Sequence, residues 1–171
     1  MICEKIRSTL ENLIPKNGSP TPPDGGDQDA SNKKTAPREN GVIERDYAVH
    51  GYHLDAQLDP EQLLDAVSAL DREEFFLETI TGVDWIAVNQ LELIYDFSRY
   101  DFDLCRVVLR IRVDRSHPVA PTITAIYPGA NWHERETHDF FGIKFAGHPH
   151  LIPLLLPEDA DFHPLLKDFK A

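Results

Sequence analysis

Residues 133–138, His133-Glu134-Arg135-Glu136-Thr137-His138, are the stretch of this chain closest to a reactive motif. Two histidines beside a glutamate on one helix would suit a zinc site with a general base. That chemistry needs the histidines four apart, so that both face the ion. Here they are five apart, and at roughly 100° per residue they point about 140° away from each other. A stand-alone metal-dependent hydrolase is therefore a remote alternative only. Six of the eight histidines lie between 117 and 163, but three of them precede proline, at His117-Pro118, His148-Pro149 and His163-Pro164. Such pairs shape turns more often than they catalyse. No GxGxxG, no phosphate-binding GxxxxGK[ST] and no GxSxG is present. Cys3 and Cys105 form no CxxC, so the chain alone holds no iron–sulfur cluster or cysteine-rich zinc site. Cys105 falls on the apolar face of a strand pattern and reads as a buried, inert thiol in a reducing, cytosolic setting. Glu158-Asp159 reads as a solvated pair. No residue is assigned a catalytic, cofactor-binding or metal-binding role.

The net charge of −12 is unevenly placed. Residues 1–41 are neutral, and the whole deficit lies in 42–171. An acidic body repels phosphate backbones and anionic lipid, which argues against nucleic-acid binding. No apolar run approaches the ~18 residues of a spanning helix, and residues 1–14 lack the apolar core of a secretory signal.

The elements that must position these residues follow from periodicity. Residues 1–14 form a short amphipathic segment with Ile2, Ile6, Leu10 and Leu13 at helical spacing. At this length a frayed tail helix is favoured over a docking peptide. Residues 15–41, with five prolines and four glycines, read as a disordered linker. The folded domain spans 42–147. A first strand is expected over Tyr47–Leu54. A helix from Asp59-Pro60-Glu61-Gln62 to about Glu73 follows, with Asp59 as cap and Gln62 closing a capping box. An apolar stretch, Phe75–Thr81, leads to a turn at Gly82-Val83-Asp84. The period-2 segments Leu91–Phe97 and Cys105–Val113 read as an antiparallel hairpin. Arg106, Arg110 and Arg112 alternate along it as an exposed polar stripe, with a docking strip for an acidic partner as the alternative. A third strand is expected over Thr122–Tyr127. The fold class is α+β, a mainly antiparallel sheet with helices on one face and an extended C-terminal arm.

The second helix is expected to be capped by Asn131, boxed by Glu134 and stopped at Gly142. Arg135 with Asp139, and Glu134 with His138, are spaced to pair across a turn. Residues 148–171 form a proline-rich arm, since Pro149, Pro153, Pro157 and Pro164 forbid a helix. Yet the arm carries Leu151, Ile152, Leu154, Leu155, Leu156, Phe162, Leu165, Leu166 and Phe169. An extended apolar arm needs another surface, which points to assembly with partners.

Blocks in this order resemble a known family: Pro128-Gly129-Ala130-Asn131-Trp132, then Glu134-Arg135-Glu136 with Asp139-Phe140-Phe141-Gly142-Ile143, then Gly147-His148-Pro149, Pro157-Glu158-Asp159 and His163-Pro164-Leu165-Leu166-Lys167-Asp168-Phe169. With Gly82-Val83-Asp84-Trp85, this is similar to the C subunit of proton-pumping NADH:quinone oxidoreductase, respiratory complex I, across about residues 42–171. The chain departs from the pattern at Ile152, Ala160, Asp161, Phe162 and Leu166, where two expected arginines become aliphatic. The resemblance implies a non-catalytic core subunit of the peripheral arm of an NADH:quinone oxidoreductase, supporting electron transfer coupled to proton translocation. It implies no cofactor in this chain; flavin, iron–sulfur clusters and quinone would lie in partners. Those partners would be a large subunit related to the hydrogenase large chain, cluster-bearing peripheral-arm subunits and, indirectly, membrane-arm subunits. The location would be peripheral, on the cytoplasmic face of the membrane. The alternative is the equivalent subunit of an energy-converting membrane-bound hydrogenase, whose partners hold a nickel–iron centre. Asn131, Glu134, Arg135, Glu136, Asp139, Gly142, His148, Pro149, Pro157, Glu158, Asp159, His163, Pro164, Lys167 and Asp168 are the implied interface and structural residues.

Overall fold

Strict alternation over 91–113 builds the centre of the molecule. In the computed structural model, which describes residues 1–14, 38–101 and 104–170, β4 (Gln90–Arg99) pairs antiparallel with β5 (Cys105–Asp114). Leu93 stands opposite Ile111, Tyr95 opposite Leu109 and Phe97 opposite Val107, and all six are fully buried. β3 (Phe76–Trp85) extends the meander antiparallel to β4. The turn expected at Gly82-Val83-Asp84 is thus strand interior. The chain reverses instead at Ile86–Asn89, where Asn89 takes the left-handed φ of 53°. Gly82 is small for another reason: a Cβ there would lie 2.5 Å from the Phe141 ring.

β1 (Gly41–Glu44) pairs antiparallel with β2 (Leu54–Leu58), and β2 runs parallel to β5, giving the sheet order β1-β2-β5-β4-β3. The first strand expected over Tyr47–Leu54 is instead a one-turn helix, α2 (Tyr47–His50), leading into β2. Asp46 Oδ1 accepts from Ala48 N at 2.9 Å, and Gly51 closes the turn at φ 77°. These local bonds outweigh a loose alternation. A 3₁₀ turn, Pro60–Gln62, opens α3 (Leu63–Arg72), with the expected reciprocal capping of Asp59 and Gln62. Thr122–Tyr127 is not a strand: Ile126 and Tyr127 both donate to Ile123 O in a turn. The strand lies just before it, β6 (Val119–Pro121), paired parallel with β7 (Lys144–Ala146) across α4 (Ala130–Phe141).

The fold is α+β, a mostly antiparallel five-stranded sheet whose apolar face carries α1 (Ile2–Leu13), α3 and α4. α1 is no frayed tail. Ile6 and Leu10 are fully buried in the common core, and Gln62 Nε2 donates to Leu13 O at 2.7 Å. Tertiary burial supplies what twelve isolated residues lack. Of the linker expected over 15–41, residues 15–37 lie outside the described residues.

The opposite sheet face is a ladder of charge. Arg106 bonds Glu78 at 2.7 Å, Arg110 bonds Asp55 at 2.9 Å, and Arg112 bonds Glu92 at 3.2 Å while covering the Trp85 ring. Arg38 supplies Asp55 with a second cation at 2.7 Å. Each arginine of the stripe is thus matched by a carboxylate of its own chain, which leaves little positive charge for an acidic partner.

Candidate functional site

The expected cap of α4 does not form. The helix starts at Ala130 behind Gly129, with no side-chain cap. Glu134 turns inward instead, accepting from Ile123 N at 2.8 Å and Thr122 Oγ1 at 2.5 Å, which is why 122–127 cannot be a strand. The carboxyl is completely enclosed. Burial pushes it up to about 7, and the two donors offset only part of that. The enclosed His148 ring places Nε2 3.9 Å from Glu134 Oε2, beyond hydrogen-bond reach. Burial holds His148 below the usual histidine range. The Tyr95 hydroxyl, also enclosed, is pushed well up by burial and then by the Glu134 charge.

Asp139 and Arg135 do not pair with each other; both hold the arm. Asp139 Oδ2 accepts three successive backbone N–H groups, from Leu154 at 2.9 Å, Leu155 at 2.7 Å and Leu156 at 3.1 Å. Burial pushes this carboxyl up, but those three donors and His138 outweigh it and leave it below the usual aspartate range. Arg135 Nε donates to Ile152 O at 3.0 Å and its Nη2 to Pro153 O at 2.9 Å, with the guanidinium over the Trp132 ring. The prolines at 153 and 157 keep this stretch from satisfying its own backbone groups, and α4 supplies the partners.

Gly142 ends α4 at φ 74°, as its position in the sequence suggests. A Cβ there would meet His163 Nε2 at 2.6 Å. The His163 ring fills that space and its Nδ1 lies 2.8 Å from Asp139 O, while Leu165 N donates to Phe140 O at 3.2 Å. His138, expected to pair with Glu134, places Nδ1 2.9 Å from Ile143 O instead. A second clasp holds the arm's end. Arg115 makes two bonds to Asp84 and one to Asp168, and Lys167 N donates to Asp84 Oδ2 at 2.8 Å. Sequence reasoning gives no role to Asp84, Arg115 or Thr122, although Asp84 stands in the Gly82-Val83-Asp84-Trp85 block.

The arm therefore finds part of its missing surface on its own chain. Leu151 and Leu166 pack against the core. Ile152, Leu155, Phe162, Leu165 and Phe169 remain exposed, as does Trp132, and Phe162 stacks on Phe169 at 5.6 Å. Asn131 and Pro164 are half-buried; Glu136, Pro149, Pro157, Glu158 and Asp159 are exposed. Among the described residues, the one group whose ligand atoms lie within reach of a shared metal ion is Cys3, His53 and Cys105, and none of these is on α4 or the arm. What α4 and the arm make is an exposed apolar rim held by hydrogen bonds to α4 and β3.

Residues 56–171, which contain both clasps, match the family model of the respiratory-chain NADH dehydrogenase 30 kDa subunit. The chain belongs to this family. It is 41% identical over 120 residues to the NADH-quinone oxidoreductase C subunit of Roseiflexus sp. (strain RS-1), covering 67% of this chain and 68% of that one. The F(420)H(2) dehydrogenase C subunit of Methanosarcina mazei is 38% identical over 94 residues, covering 54% of this chain and 59% of the relative. Among solved structures, a chain of the archaeal membrane-bound sulfane sulfur reductase superposes with a TM-score of 0.62 at 27% identity, over 68% of this chain and 71% of the other. A trypsin-resistant fragment of Nqo5 superposes with a TM-score of 0.51 at 29% identity, over 61% and 92%. This family member is thus a subunit of a respiratory oxidoreductase complex.

Proposed function

We propose that this chain is a non-catalytic scaffold subunit of an NADH:quinone oxidoreductase, in the part of the complex that carries electrons from NADH toward quinone. The relatives favour this host over a hydrogenase. The observation that carries the reading is the clasped arm. Asp139, Arg135 and Asp84 hold 152–168 in one conformation, and Ile152, Leu155, Phe162, Leu165 and Phe169 are left facing outward. A rim fixed before binding loses little entropy when a partner covers it. The chemistry would reside in partners: flavin- and cluster-bearing subunits and a large subunit related to the hydrogenase large chain. No helix among the described residues is long and apolar enough to cross a membrane. That fits a peripheral subunit, and we place it at the cytoplasmic face through its partners.

The test is purification of the tagged full-length chain from solubilised membranes. Flavin- and cluster-bearing subunits with NADH:quinone activity should co-purify. Leu155→Asp, at a side chain 60% exposed, should leave the fold intact and reduce the co-purified subunits at least several-fold. NADH oxidation by the isolated chain would overturn the scaffold reading.

A further inference from the structure

Cys3 stands in the first turn of α1, and Cys105 opens β5, at the centre of the sheet. Their Cα atoms are 5.8 Å apart and their sulfurs are joined, across a separation of 102 residues. That Cα spacing lies within the range a disulfide bridges without moving backbone. Cys105 is fully buried and Cys3 half-buried.

A third group belongs to the same place. A nitrogen of the His53 ring lies within 4.8 Å of both sulfurs. Arg106 N donates to His53 Nδ1 at 3.0 Å, and Tyr47 stacks on the ring at 4.7 Å, so α2 and β5 both fix the imidazole. Two sulfurs and an imidazole could also hold a soft cation. A cation requires two separate thiolates and a free imidazole lone pair. Here the sulfurs bond each other and the Nδ1 lone pair is engaged, so the geometry favours the redox pair.

We propose that Cys3 and Cys105 form a thiol–disulfide site that fastens α1 to the sheet, with His53 as its neighbouring group. Oxidation locks the helix in place. Reduction leaves it held by the buried Ile6, Leu10 and Ile14, by the Gln62 Nε2 bond to Leu13 O, and by ion pairs of Lys5 with Glu73 and Arg7 with Glu44, which are partly exposed and contribute little. Those contacts keep α1 docked, but without the bridge across 102 residues nothing covalent opposes its opening from the sheet, so it opens more often. The switch is therefore local: α1 loosens from α3, β1 and β2, while the β3-β4-β5 meander is unaffected.

The oxidant would be a low-molecular-weight disulfide. One cysteine thiolate attacks it and expels a small thiol, and the second thiolate then displaces the other. One S–S bond breaks, one forms, and both protons leave on the two released thiols. A small dithiol reverses the exchange.

The full-length chain, treated with oxidised glutathione, should yield on unreduced tryptic digestion a linked peptide joining residues 1–5 to 100–106. Amide hydrogens of residues 6–13 should exchange at least tenfold faster in a small dithiol than after oxidation, with β4 and β5 unchanged. Cys3→Ser should show the fast exchange under both conditions. Two free thiols persisting after oxidation, or equal exchange in the two states, would overturn the proposal. So would stoichiometric zinc on the reduced chain that is lost in both Cys3→Ser and His53→Ala, which would assign the residues to a cation instead.

Discussion

Glu134 and Asp139, five residues apart on one helix, are driven in opposite directions by their surroundings. Enclosure lifts Glu134 to about 7, above its value in an unfolded chain. Its neutral form is the one the fold prefers, so the stability it contributes is greatest at low pH and is lost as pH rises from the ordinary glutamate value through 7. The shift corresponds to roughly 3 kcal/mol. Glu134→Gln keeps an acceptor for Ile123 N without the charge. Its urea midpoint should lack the fall that Glu134 gives the parent between pH 5 and 8, and parallel curves would refute this role. Asp139 is lowered, so its contribution is present above the ordinary aspartate value and disappears as pH falls through its folded value. Protection of the Leu154, Leu155 and Leu156 amides from hydrogen exchange, relative to their unfolded-chain rates at the same pH, should be high at pH 5 and fall in acid. Asp139→Asn should leave that protection low at every pH, at a cost of about 2–3 kcal/mol. Neither role was legible in the sequence. A carboxylate bound to backbone N–H groups leaves no partner residue type to read, and the i, i+4 spacing pointed both acids along the helix surface instead of inward and toward the arm.

At the scale of elements, legibility followed the strength of the period. Ten-residue strands with one buried face, β4 and β5, could be read outright, as could the Asp59–Gln62 cap. Short elements could not: β1 and α2 have four residues each, too few for either period. Thr122–Tyr127 alternates like a strand, yet Glu134 takes the Ile123 N–H that a ladder would need. The arm was recognisable by its prolines and leucines. That its holder would be the preceding helix was not, because nothing in either segment alone encodes their contact. The packing of α4 on β3 has its own test. Gly82 lies beneath the Phe141 ring. Gly82→Ala should force the two elements apart and cost about 1–3 kcal/mol, read as a lowered thermal midpoint with unchanged far-ultraviolet dichroism. An unchanged midpoint would mean that Phe141 has room to move.

At the scale of the whole molecule, the apolar sheet face is covered by the chain's own helices, and the charged face is neutralised by its own ion pairs. The surface proposed for partners is the rim along α4 and the arm, where Trp132, Ile152, Leu155, Phe162 and Leu165 are exposed. Deleting 148–171 would therefore remove the rim and also the core contacts of Leu151 and Leu166. Such a deletion should lower stability as well as abolish assembly, so surface substitutions are the cleaner probe. The parallel pairing of β2 with β5 bears on a different matter, the order in which the chain takes shape as it is synthesised. The strands β3, β4 and β5 are neighbours in sequence and can join as soon as each emerges. The β1–β2 hairpin is made earlier, yet its inner edge has no partner until β5, ending at Asp114, has left the ribosome. Closing so distant a pair is slow. Until then an apolar strand edge stands open, and that interval is when a nascent chain of this fold is most in need of a chaperone.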